Sequence, residues 1–408
     1  MLGSRRLSIL AILAVLAVVV AFWLKSSRQP AEELSASGLL LPTLSNRINQ
    51  VDQLTISAAG ERVATLQNSD DGWVMPERDA YPVAVAELRS LLLVLGDARR
   101  VEAKTANPDR YTKLGVDDPL ADASATGVRI DIRAGDESMG LIVGGNRPGG
   151  NGTYVRLVDD PQSWLTDRNI AIEKRPARWL QRQLTDIAAS RIQSVTVEHP
   201  ADADAKADTV MIEADGQSGF TLANLPKGRE AADDYSIEAL AGFLADLRFD
   251  ELAANESGSL PETGVGTAAF RSSDGLIISL RHWTEGEQPA RVWASFDVDF
   301  DEEQALQAVE TAQRQAKVEH AAARLQAAQA AAPEDREGEA VDTNSSAAIE
   351  APLAVTDPEA DRRARIAALK MEVAAIRDRV DGRRFELPAS KAGNLRKRLD
   401  AYLKPLEG

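Results

Sequence analysis

Between Val51 and about Phe300 the chain runs through one order of elements twice, and few folds accommodate that constraint. In the first pass, residues 51–57 (VDQLTIS) and 62–66 alternate apolar and polar side chains as strands do. Residues 72–76 (GWVMP) add a short third strand, stopped by proline. A helix follows, with Pro82 in its first turn and Val85, Leu88, Leu92 and Leu95 along one face. In the second pass, residues 192–198 (IQSVTVE) and 209–213 read as strands, and residues 219–222 precede Pro226. Ser236 is placed to cap a helix striped by Ile237, Leu240, Leu244 and Leu247. Leu114-Gly115-Val116 then answers Thr263-Gly264-Val265, strands 128–132 and 141–143 answer 268–271 and 276–280, and 154–157 answers 292–295. The expected fold is α+β, with two repeated β-rich units over 45–187 and 188–300.

The N-terminus carries a different signal. Residues 7–24 (LSILAILAVLAVVVAFWL) hold no charge and one hydroxyl. As a helix they span about 27 Å, against roughly 30 Å of bilayer hydrocarbon. Arg5 and Arg6 precede the run, and Lys25, Arg28, Glu32 and Glu33 follow it. This reads as a single transmembrane helix with residues 1–6 cytoplasmic and 25–44 a tether. The rest is then extracytoplasmic, on a protein of the inner membrane. The competing reading is a cleaved signal peptide; the length of the run, ending in Trp23 and Lys25, favours retention.

At 408 residues the chain has room for two or three domains. Its net charge of -16 argues against nucleic acid as a partner, because the phosphates would meet a repulsive field. It has no cysteine, so disulfides, thiolate zinc sites and cysteine nucleophiles are excluded.

Beyond the repeat, Asp301 fits a helix N-cap, with Glu302 and Glu303 in the first turn and Gln304 three residues on. An alanine-rich helix over 301–332 is expected. Residues 333–358 are poor in large apolar side chains, which predicts disorder. A second helix over 359–381 carries Ile366, Leu369, Val373, Ile376 and Val380 at heptad spacing and needs a partner. That partner is either the first helix, in an antiparallel hairpin, or a coiled-coil helix of another chain. Residues 382–408 end the chain in a strand and a helix.

Several of these stretches together resemble a known family. The run Tyr111-Thr112-Lys113-Leu114-Gly115-Val116-Asp117-Asp118-Pro119 carries it, with Gly72-Trp73 ahead of Pro76, the leucine-rich helix, and Tyr154-Val155-Arg156 after a glycine-containing strand. The ending Phe385-Glu386-Leu387-Pro388, followed by Leu395, Leu399 and Leu403, adds to it. The set resembles domain-of-unknown-function family 4340 from about Leu44 onward. The resemblance implies a membrane-anchored, extracytoplasmic protein, commonly encoded beside components of a gliding-motility-type ABC transporter. It supplies no catalytic residues. The helical and acidic insertion departs from the family pattern.

Linear motifs for chemistry are weak. Residues 144–152 (GGNRPGGNG) invite a phosphate loop but lack the Gly-Lys-Ser/Thr ending and lie between strands, so a hairpin loop is expected. Asp297, Asp299 and Asp301 place carboxylates on one strand face without the glycine and distal glutamate of a calcium loop. Asp202, Asp204 and Asp208 have the same limits. His199, His282 and His320 show no metal-ligand spacing. Trp73, Trp164, Trp179 and Trp293 could line a glycan groove, but their apolar settings favour core packing. No residue is therefore assigned a catalytic, cofactor-binding or metal-ligating role.

Three functions follow. The first is a non-catalytic accessory or scaffold protein bound to integral subunits of an ABC-transporter-type complex. The others are an envelope glycan- or peptidoglycan-binding module and a hydrolase with a site between the repeats. The first is the expectation carried forward.

Overall fold

The computed structural model describes residues 38–201, 205–217, 219–232, 234–253, 260–261, 263–286, 290–330 and 350–405. The chain divides between Leu180 and Gln181 into two units. The first holds helices α1 (Pro42–Arg47), α2 (Val85–Asp97) and α3 (Tyr111–Leu114). Its strands are β1 (Val51–Ala58), β2 (Glu61–Ser69), β3 (Gly72–Met75), β4 (Tyr81–Pro82), β5 (Arg100–Ala103), β6 (Val128–Ala134), β7 (Glu137–Asn146), β8 (Thr153–Leu157) and β9 (Ser163–Thr166). They form one nine-stranded antiparallel sheet in the order β4-β3-β2-β1-β6-β7-β8-β9-β5.

The second unit holds β10 (Gln183–Thr185), β11 (Ile192–His199), β12 (Asp208–Ala214), β13 (Phe220–Leu222), α4 (Asp234–Ala241), β14 (Leu247–Arg248), β15 (Glu251–Leu252), β16 (Gly266–Ser272), β17 (Leu276–Glu285) and β18 (Arg291–Phe300). After these come α5 (Glu302–Ala330), α6 (Leu353–Thr356), α7 (Pro358–Val380), β19 (Phe385–Glu386) and α8 (Ala389–Arg396). Its eight-stranded sheet runs β13-β12-β11-β16-β17-β18-β19-β15, and β10 pairs with β14 apart from it.

Strand for strand, β3-β2-β1-β6-β7-β8-β9-β5 and β13-β12-β11-β16-β17-β18-β19-β15 are the same order. The likeness reaches the register. β1 slips by one residue against β6 between Val51 and Gln53, and β11 slips against β16 between Ile192 and Ser194. Gly115 and Gly264 both adopt left-handed backbone, at φ 69° and 72°. The difference lies at one place. The position of β9 is filled by β19, which pairs with both β18 and β15 after the chain has passed through the whole helical excursion.

Alternation builds both cores. β1 turns Leu54 and Ile56 inward, and β6 turns Ile130 and Ile132 inward. Helix α2 buries Leu88, Leu91, Leu92 and Leu95. In the second unit Phe243 stacks on Phe270 at 5.2 Å, and Phe385 of the returning β19 lies 5.2 Å from Phe249 and 6.1 Å from Phe296. Those contacts seat the late strand among earlier ones.

The helical excursion is an antiparallel pair. Lys370 meets Glu302, Arg362 meets Glu310, and Gln313 Nε2 donates to Asp361 and to Pro358 O, so numbers rise on one helix as they fall on the other. Val373, Ile376 and Val380 are buried, while Ile366 and Leu369 are half-buried. Arg377 ties α7 to the sheet by donating to Val298 O at 2.6 Å. Asp301 caps α5, accepting from Gln304 N at 3.0 Å. Replacing it (Asp301→Ala) is expected to cost about 1 kcal/mol, read as a lower urea midpoint with reduced helical circular dichroism.

Several expectations need correction. The first unit gathers its tether: Leu40, Leu41 and Leu44 are buried and Leu40 N donates to Ala98 O, so the folded body starts well before residue 45. Pro82 lies in β4 opposite Val74, ahead of the helix. Helix α4 begins before Ser236 and stops at Ala241; Leu244 belongs to a 3-10 turn and Leu247 to β14, although all four stripe residues are buried. The second unit starts at Gln181 and extends past residue 300 to recruit β19. The terminal helix breaks into α8 and a separate 3-10 turn, Leu399–Tyr402. Within the expected disordered stretch, Leu353–Thr356 is helical and residues 331–349 lie outside the described ones.

The architecture and location built on a membrane anchor are likewise corrected. Among the described residues no helix is long and apolar enough to cross a membrane, and residues 7–24 lie outside them. What is described is β-rich, with several sheets. The expected inner-membrane location therefore has no membrane-crossing helix behind it among the described residues.

Candidate functional site

The Tyr111–Pro119 run crosses the face of the first sheet opposite its main core. Tyr111 and Val116 pack on Ile142, whose side chain points away from the faces of Leu141 and Val143 by strand alternation; Leu114, Tyr154 and Val158 surround them. Helix α3 ends at Gly115, whose positive φ turns the chain so that Val116 N donates back to Tyr111 O at 3.1 Å. Tyr111 OH donates to Pro161 O at 2.6 Å. The Arg156 guanidinium lies 4.6 Å from the Tyr111 ring centre and its Nε donates to Val116 O at 3.1 Å. Two glycines allow the close approach. A Cβ on Gly127 would lie 2.5 Å from Gly115 O, and one on Gly144 would strike Leu114 O.

Beside this crossing the same face stays polar. β6 directs Arg129, Asp131 and Arg133 outward, opposite Ile130 and Ile132, and β1 adds Thr55. Two open cavities of about 410 Å³ each share Thr55 and Asp131, making one trough. Gln53, Arg129, Arg133, Ser138 and Asp159 line one end; Ser57, Arg62, Glu77 and Leu120 line the other.

Arg129 is clamped. Its Nε and Nη2 donate to Asp131 at 2.9 and 3.0 Å, and its Nη1 donates to Asp118 at 2.7 Å. Hydrogen bonding to Asp131, with the charges of Asp131 and Asp118, raises its proton affinity against the opposing effect of burial. Arg133 Nε donates to Asp52 at 2.7 Å. At the other end the polar groups are left over. Glu77 Oε2 and Thr65 Oγ1 are buried with no hydrogen-bond partner, and Thr65 sits directly across from Thr55. An unmet buried polar atom costs about 1–3 kcal/mol. Leu120, on the rim, is 48% exposed.

The sequence candidates fall elsewhere. Residues 144–152 run from β7 through a hairpin loop to β8, with Gly149 at φ 68° serving the turn. Asp297 and Asp299 are exposed on β18, and Asp301 is a helix cap. Asp202 and Asp204 lie outside the described residues; Asp208 pairs with Arg398 at 2.7 Å. Trp164, Trp179 and Trp293 are buried and Trp73 is half-buried. Among the described residues no group of three or more His, Asp or Glu could hold a metal.

Two histidines do meet. His199 and His282 lie edge to face with centroids 6.4 Å apart, both buried. His199 Nε2 donates to Lys397 O at 3.0 Å, while His282 Nε2 has no partner. Burial, with smaller effects from His199 and Arg396, pushes His282 down to about 4. Burial lowers His199 too, opposed by the nearby Asp208 charge. The pair sits where Gly266 opens β16: a Cβ there would lie 2.5 Å from His282 Nε2.

A family model now accounts for the crossing run and for the strands that carry it. Residues 73–266 match the family Domain of unknown function (DUF4340). The resemblance read from the motif is thereby shown over that span, shorter than the stretch from Leu44 onward; the Phe385-Glu386-Leu387-Pro388 ending lies outside it. The match starts inside β3 and stops at the first residue of β16, so it includes the crossing run, Glu77, Leu120, Arg129 and Asp131. Searches of curated proteins and of solved structures returned no match.

The sequence reading missed the trough. Arg129 and Asp131, two apart on a strand, are a readable polar face; Glu77 and Leu120 arrive from distant turns with no linear signal.

Proposed function

We propose that this protein, whose residues 73–266 match DUF4340, acts as a non-catalytic accessory or scaffold protein that docks protein partners through the trough of its first unit. The supporting observation is the wiring of the trough. Arg129 is held between Asp118 and Asp131 while Arg133 pairs with Asp52 at the surface, which suits a preset recognition surface better than a site whose groups must exchange protons near neutrality. Among the described residues Trp164, Trp179 and Trp293 are buried, which withdraws those three side chains from the glycan reading. The family resemblance names the partners to seek first, the integral subunits of a gliding-motility-type ABC transporter.

Crosslinked capture of the full chain from its own cells tests the reading. A reproducible partner set is expected with the wild type, and its loss with the double variant Arg129→Ala, Arg133→Ala. Recovery of the chain alone, or identical capture by the double variant, overturns it.

A further inference from the structure

The end of the trough away from Arg133 has a chemistry of its own. Glu77 Oε2 is buried without a hydrogen bond, and Glu77 makes no ion pair among the described residues. Arg62 borders the same cavity but is exposed, so its charge is screened by water and leaves the buried oxygen unmet. Asp131, shared by both cavities, already holds Arg129. Leu120 adds an exposed apolar wall beside Glu77, and Thr55 a hydroxyl. A carboxylate in the lining of the same cavity as an exposed apolar side chain matches a long cationic side chain, whose methylenes cover apolar surface while the charged head seeks an acceptor.

We propose that this cavity receives a lysine or arginine side chain of a protein partner, with Glu77 as its counter-ion and Leu120 covering its stem. This rests on the docking reading and specifies what the partner must present. The chain's net charge of -16 favours approach of a basic segment. The charge complementarity is therefore both local and global.

Calorimetric titration of the full chain with blocked pentapeptides tests it, the peptides being Ala-Ala-X-Ala-Ala with X lysine, arginine, norleucine or glutamate. The lysine and arginine peptides are expected to bind roughly tenfold tighter than the norleucine peptide, whose side chain has similar reach but no charge. Glu77→Gln abolishes that preference while keeping shape, and Glu87→Gln, exposed on α2 outside the trough, leaves it intact. Equal binding of norleucine, an unchanged preference in Glu77→Gln, or preference for the glutamate peptide through Arg62 overturns the assignment. Partner capture that survives Glu77→Gln removes this assignment but leaves the docking reading standing. Peptide binding as expected without any captured partner does the reverse.

Discussion

Acidification from about pH 7 to about pH 4 is expected to strip roughly 3 kcal/mol from the second unit through His282. In the folded chain this imidazole is held neutral down to about 4, from an ordinary value of 6.5, because burial disfavours its charged form. The unfolded chain takes up that proton near 6.5, so between those values the unfolded state binds more protons. Stability is thus full above 6.5 and falls as the pH drops towards 4. His199, also lowered, adds in the same direction. Urea unfolding, followed by the combined tryptophan fluorescence, should show the midpoint falling across that window. His282→Leu removes the titrating group and its unpartnered nitrogen, and should flatten most of the slope. The same slope in both proteins would dismiss the histidine as its source, since carboxylates that titrate lower are common to the two.

Gly144→Ala is expected to destabilise the first unit by about 2–3 kcal/mol. The backbone at Gly144 is ordinary strand, so the obstacle is space. A methyl there would strike Leu114 O and come within 2.9 Å of Gly115 O and of Val116 Cγ1. Two of these three atoms are backbone of the crossing run and cannot swing aside. Lifting that run would also displace Asp118 from Arg129 and Leu120 from the trough. Gly150→Ala, in the adjoining hairpin loop, meets only the flexible Arg147 side chain at 3.5 Å and serves as the control. Thermal melting by near-ultraviolet circular dichroism compares them; equal midpoints would mean that the crossing run is not tightly seated on β7.

Local patterns were legible because their causes are local. Alternation in residues 51–57 and 192–198 follows from having one buried face, and those segments are β1 and β11. The α2 stripe and the Asp301 cap were readable for the same reason, each depending on neighbours within about one helical turn. Where the local signal was shared between outcomes, the reading slipped. Pro82 suits a helix start and an edge strand equally, and its pairing with Val74 settled the matter. The stripe through Leu244 and Leu247 continued past the helix because buried residues of a turn and a strand fell on the same spacing.

The amino-acid order alone determined the strands and helices whose burial repeats locally, such as β1, β11 and α2, the acidic charge and cysteine-free chemistry, and the run that carries the resemblance to DUF4340. Only the tertiary structure decided that Phe385–Glu386 completes a sheet begun nearly two hundred positions earlier, that His282 meets His199 across the gap left by Gly266, and that Glu77 and Leu120 close one end of a trough floored by Thr55 and Asp131. Periodicity reports which way a side chain faces, because burial repeats along one element. It carries no record of what a face will meet, which depends on packing between segments far apart in the chain.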